Sequence, residues 1–281
     1  MGSTMAVFDG HIKAVRDFMR SLPMTDDLHQ ELECSGTPEE LLRSLPINLG
    51  RGASSGIHLR SNTYTELGNP IAGSCSHLLW TNNTSLVRDG RITLIGPDIP
   101  ASEGKSLPFG QILMLAGETL AAKDHERLQQ APIIGDRIEG YMLKSTSDYL
   151  WARISKDVAA RGFNFEILGK SLISLIKSRT PGVTAVEILF VTSSKEDVKE
   201  LASIASEVKG LGSNILKEAW KERGFDVECD FDCASCHDEP VCDDIREVIV
   251  GVKKAAREKK KAQDKNSVSY QLTPLRKAIV D

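Results

Sequence analysis

Four of the six cysteines fall in one short stretch, CDFDCASCHDEPVC, as Cys229, Cys233, Cys236 and Cys242. Cys233 and Cys236, two residues apart, can share a tight turn and reach one metal centre. Cys229 and Cys242 can close the set from either side. Four thiolates suit a [4Fe–4S] cluster or a tetrahedral zinc ion, and the spacing leaves both open. Eight carboxylates and no lysine or arginine lie between Asp226 and Asp244. Around a cluster they would disfavour adding an electron and lower its potential; around nothing they would form a solvated acidic loop. His237 could replace one thiolate or simply face water. Cys34 and Cys75 have no partner motif and read as ordinary free thiols. His11, His29, His58, His77 and His125 show no ligand spacing. There is no P-loop, no G-x-G-x-x-G after a strand and no G-x-S-x-G elbow, so the catalytic residues are unknown. GRGASSG, from Gly50 to Gly56, reads as a flexible loop that could offer backbone N–H groups to an anion.

These cysteines need a scaffold, and the composition allows one. The chain has 281 residues, 41% of them hydrophobic, enough for a real core in one large domain or two modest ones. A formal net charge of −4 and a pI near 5.9 argue against a nucleic-acid partner, as do aromatics at only 5%. No apolar run approaches the roughly 20 residues that span a bilayer, so no membrane partner is expected. No basic stretch followed by an apolar one opens the chain, so the expected location is cytoplasmic, where thiols stay reduced and clustered cysteines bind metal.

The expected fold class is α/β, with α+β as the other option: a mixed sheet with packed helices, then a small Cys-rich segment and a C-terminal helix. Phe8, Ile12, Val15, Met19 and Leu22 recur at helical spacing, and Pro23 stops that helix. Thr37, Pro38 and Glu40 read as N-cap, N1 and N3 of a second helix. From Pro46 to about Gly117 the chain is β-rich. Asp89-Gly90 is expected to turn a hairpin within SLVRDGRITLIGPDI, while GQILMLAG could be a strand or a helix start. Helical signals then dominate to Arg161, including a Leu150, Ile154 and Val158 stripe ended by Gly162. AVEILFVTS reads as a buried strand, and Ser194 caps a helix carrying Val198, Leu201, Ile204 and Val208. The expected divisions are an N-terminal helical segment (1–45), an α/β domain (46–223), a Cys-rich segment with a basic helix (224–265) and a tail (266–281).

TELGNP, LVRDGRITLIGPDI, PFGQILMLAG, YLWARISKDVAARGF and VEILFVTSSKEDVKEL occur in this order and run into Cys-x2-Cys. Together, over Glu66 to Cys242, they resemble the middle domain and cluster-binding segment of acetyl-CoA synthase, the beta subunit of the CO dehydrogenase/acetyl-CoA synthase complex. That family joins a corrinoid-borne methyl group, CO and coenzyme A on two nickels bridged to a [4Fe–4S] cluster. The resemblance implies that Cys233 and Cys236 are its Cys-x2-Cys and Cys242 its third cluster cysteine. Cys236 would be the bridge to nickel. Trp151 and Arg153 fall in the part associated with coenzyme A. The family's fourth cluster cysteine lies downstream of the third, so Cys229 would substitute from upstream. The Cys-Gly-Cys that holds the distal nickel is absent from these 281 residues, which argues against nickel. The expectation is an acetyl-CoA synthase-like protein with one [4Fe–4S] cluster in the one-carbon metabolism of an anaerobe. It would act by electron transfer or by docking to a corrinoid protein or another redox protein. The alternatives are a minimal synthase or methyl-transfer enzyme with a second metal, and a zinc-binding interaction module.

Overall fold

The structure, a computed structural model, describes residues 7–22, 28–44, 64–69, 71–99, 106–129, 131, 138–145 and 150–222. The chain divides into two compact units, 1–227 and 228–281, and the described residues all belong to the first. They form eight strands: β1 (His29–Glu33), β2 (Tyr64–Leu67), β3 (Ser74–Thr81), β4 (Arg91–Ile95), β5 (Phe109–Ala116), β6 (Tyr141–Ser145), β7 (Leu150–Ser155) and β8 (Ala185–Val191). The helices are α1 (Asp9–Ser21), α2 (Pro38–Ser44), α3 (His125–Gln129), α4 (Lys156–Ala160), α5 (Phe165–Arg179) and α6 (Lys195–Glu222).

The class is α/β, built on a mixed sheet. Five strands run in the order β1-β4-β8-β5-β3, with β4–β8 and β3–β5 parallel and the other two pairings antiparallel. Every residue of β5 and β8 is buried, as central strands covered on both faces must be. α1 and α6 cover one face. Gly110 on β5 shows how closely: a Cβ there would sit 3.0 Å from Leu201 of α6 and 3.3 Å from Val191. α5 covers the other face, where Phe165 stacks among Phe109 and Phe190 at centroid distances of 5.7 and 4.9 Å. A second, antiparallel sheet runs β2-β7-β6.

Local chemistry starts and stops these helices. α1 buries Phe8, Ile12, Val15, Phe18 and Met19 along one stripe, each burial contributing about 1.5–3 kcal/mol. Thr37 and Glu40 form a reciprocal capping box on α2, at 2.8 and 3.3 Å. Asn164 accepts from the Ile167 N–H at 2.9 Å and Asp98 from the Phe165 N–H at 3.0 Å, so two side chains cap α5. Ser194 caps α6 through the Asp197 N–H. Gly162, at φ +96°, ends α4 as expected of a residue just past a helix. Between α1, α3, α6 and β3, Trp80 Nε1 donates to His125 Nδ1 at 2.9 Å, and Phe8 stacks on the imidazole. Burial lowers the His125 pKa to about 4, so the ring is neutral and free to accept.

Two expectations need correction. Asp89-Gly90 turns the chain without making a hairpin, because a short 3₁₀ helix (Thr84–Leu86) precedes it and β4 pairs with the distant β1 and β8. The turn is tied instead to its neighbours: Asp89 accepts from the Val186 N–H, and a Cβ on Gly90 would lie 2.2 Å from the Cys34 carbonyl oxygen. The expected helix through Leu150 and Ile154 begins only at Lys156; before it the chain is β7. Ala152 and Ile154 point inward at period two and meet the core, so the apolar spacing there serves a strand. GQILMLAG is settled as strand β5.

Candidate functional site

Cys229, Cys233, Cys236, Cys242 and His237 lie outside the described residues. The two described cysteines are poor ligands. Burial pushes the Cys75 thiol up to about 12 and raises that of Cys34 as well, so both stay protonated at neutral pH. Among the described residues no group of three or more His, Cys, Asp or Glu side chains could hold a metal ion.

Trp151 and Arg153 do come together with partners the sequence reading did not supply. Both alternate outward from β7 while Ala152 and Ile154 face the core. The β2–β7 register sets Glu66 opposite Arg153 and Tyr64 opposite Ser155. The Arg153 guanidinium lies over the Tyr64 ring at 4.4 Å and over the Trp151 ring at 4.9 Å. Glu66 is 3.6 Å from Arg153 and also accepts from Asn69, which reaches Ser106 at 3.1 Å. Trp151 Nε1 and Arg153 Nε are buried without a partner. Two flat rings, a stacked cation and two spare donors suit a ligand combining a planar ring with an anionic group.

A second polar concentration was missed altogether. A half-open cleft of about 100 Å³ lies between α1 and the β1–β4–β8 side of the large sheet. It is lined by Arg16, Met19, Arg20, His29, Glu31, Arg91 and Glu187. Glu187, only 1% exposed in mid-strand, accepts from Arg16 Nη2 at 2.9 Å and from the Arg88 N–H at 2.7 Å. Glu31 accepts from Arg91 Nη2 and sits 3.4 Å from His29 Nε2. Burial alone would raise the Glu31 pKa, but Arg91 and His29 outweigh it and the net shift is downward. Four lining residues still carry a buried atom with no partner: Arg16 Nε, His29 Nδ1, Arg91 Nε and Glu187 Oε1. Leaving each such group bare costs ~1–3 kcal/mol. The residues are spread from position 16 to 187, so no local motif could have announced them.

The model of the CO dehydrogenase/acetyl-CoA synthase complex beta subunit family matches residues 45–198. The chain belongs to that family. Acetyl-CoA decarbonylase/synthase complex subunit beta 1 of Methanosarcina mazei is 28% identical over 180 residues, covering 63% of this chain and 37% of the relative. The beta subunit from Methanopyrus kandleri is 31% identical over 190 residues, covering 63% of this chain and 40% of its own. The alpha subunit of the Moorella thermoacetica carbon monoxide dehydrogenase/acetyl-CoA synthase is 30% identical over 167 residues, 58% of this chain and 22% of that one. The match therefore spans two fifths or less of these relatives. In this acetyl-CoA synthase family member, the family match takes in β2 through β8, including Trp151 and Arg153. It ends before Cys229, and Arg16, His29 and Glu31 precede it. Among the described residues no helix is long and apolar enough to cross a membrane.

Proposed function

We propose that this chain is an acetyl-CoA synthase-like scaffold that holds one [4Fe–4S] cluster through Cys229, Cys233, Cys236 and Cys242. It serves one-carbon metabolism by electron transfer or by docking to a corrinoid protein. The observation that carries the reading is family membership over 45–198 in a chain that continues into four closely spaced thiolates. The donor chemistry fits: thiolates are the ligands such clusters take, and the two other cysteines are buried or half-buried thiols held protonated. A bound cluster supplies one-electron transfer, here at low potential because carboxylates crowd the ligands. The Tyr64–Trp151–Arg153 face is the region we assign to coenzyme A, its rings available to the adenine and its guanidinium to a phosphate.

Anaerobic iron, sulfide, zinc and nickel analysis of the wild type beside Cys236→Ala tests this. The expected wild-type content is about four iron and four sulfide per chain, with a broad band near ~400 nm that the variant loses. One zinc per chain in a colourless protein would overturn the cluster and favour an interaction module. Stoichiometric nickel alongside iron would instead favour a minimal synthase.

A further inference from the structure

The cleft over β4 has features that neither the cluster nor the coenzyme A region explains. Arg16 and Arg91 each commit Nη2 to a carboxylate and leave the Nε–H without a partner. A guanidinium edge with a free N–H is shaped for an oxyanion. Glu187, on the same lining, leaves Oε1 with no donor. A fully ionised oxyanion would be repelled by that oxygen, whereas one that keeps an O–H can donate to it. Thr93 adds a buried, unpartnered hydroxyl on the Arg91 side of β4. Arg16 and Arg91 are matched by Glu187 and Glu31, and Arg20 also pairs with the exposed Asp17 at 3.1 Å, so the lining is near neutral and favours an anion of low charge. Free donors beside a free acceptor, in a near-neutral lining, describe a tetrahedral monoanion that keeps an O–H.

We propose that the cleft formed by Arg16, His29, Arg91 and Glu187 binds a phosphate monoanion that keeps a P–OH, either free dihydrogen phosphate or a singly protonated phosphomonoester. The Nε–H groups of Arg16 and Arg91 donate to its oxygens, and its remaining P–OH donates to Glu187 Oε1. Arg16 and His29 precede the family-matched residues 45–198, so the site is built partly from outside that match. It needs neither the cluster nor the four clustered cysteines.

The test is calorimetric titration of the full chain at pH ~6, where phosphate esters are near their second pKa, with inorganic phosphate, glycerol 2-phosphate and sulfate as probes. Sulfate has the same shape but no proton to offer, so phosphate should bind ~10-fold more tightly or better. Arg91→Lys, which keeps the charge and loses the planar edge, should weaken phosphate by ~10-fold. Glu187→Gln, whose amide can donate, should bring phosphate and sulfate to equal affinity. If that variant does not fold, the wild-type ranking and Arg91→Lys decide. Tighter binding of glycerol 2-phosphate assigns the cleft to phosphomonoesters, and tighter binding of inorganic phosphate assigns it to the free anion. Equal affinity of phosphate and sulfate in the wild type, no heat with any probe, or no effect of Arg91→Lys would overturn the proposal and leave the cleft to water.

Discussion

On β7, Arg153 rests against the rings of Tyr64 and Trp151 with 31% of its side chain exposed. In the cleft over β4, Arg16 and Arg91 are held by Glu187 and Glu31, and Arg91 is 14% exposed. Arg153 is held by the faces of two rings, and its carboxylate partner Glu66 stands off at 3.6 Å and is shared with Asn69, so the guanidinium is loosely paired and tolerates several geometries. Carboxylates neutralise a cation but aim its remaining N–H, so Arg16 and Arg91 offer direction more than charge. The two regions also stand on different foundations. The cleft is rooted in the five-stranded sheet, whose central strands are buried on both faces, while Arg153 lies on the outward face of a three-stranded sheet.

If that contrast is right, substitution in the cleft should cost stability and substitution on β7 should cost only binding. The largest effect is expected from Arg16→Met, which leaves the buried Glu187 carboxylate without its ion pair. Chemical denaturation should show a loss of about 3 kcal/mol. A second prediction uses His125, which touches neither region, as an acid control. Its pKa falls from 6.5 in the unfolded chain to about 4 in the folded one, because burial disfavours the charged ring. The stability it contributes is therefore complete above about pH 6.5 and is lost as pH falls from there towards 4. The full range amounts to roughly 3 kcal/mol, partly realised at any pH between. Melting temperature followed over that window should fall in the wild type and flatten in His125→Phe. An unchanged slope in the variant would show that His125 is not the source of the acid sensitivity. The smallest change in stability belongs to Arg153→Met, at about 1 kcal/mol or less, while coenzyme A titration should show weakened binding. Should Arg153→Met destabilise as much as Arg16→Met, the distinction between the two regions collapses.

Much of the fold could be read in advance, for local reasons. The stripe from Phe8 to Met19, the Thr37–Glu40 box and the Ser194 cap are each settled within a few residues of sequence, and each stands in the structure. The failures occurred where distant pairing outweighed local signals. Asp89-Gly90 carries a hairpin turn's residues, yet its strand pairs with β8 nearly a hundred positions away. Leu150 to Val158 fits a helical stripe, yet Ala152 and Ile154 are buried at strand period because β2 and β6 flank them. β1 went unread because His29 to Glu33 is mostly polar, as an edge strand with one side in solvent can be.

The same division runs through function. Sequence by itself determined that this is an acetyl-CoA synthase family scaffold, that four cysteines stand at ligand spacing, and that Trp151 and Arg153 merit attention. Those features are local, or are carried by the order of segments along the chain. Only the tertiary structure set Tyr64 and Glu66 against Arg153, and only it gathered Arg16, His29, Arg91 and Glu187 around one cleft. Strand pairing and helix packing bring such residues together through the burial of apolar faces elsewhere, and that burial depends on the whole sheet rather than on any neighbourhood in sequence.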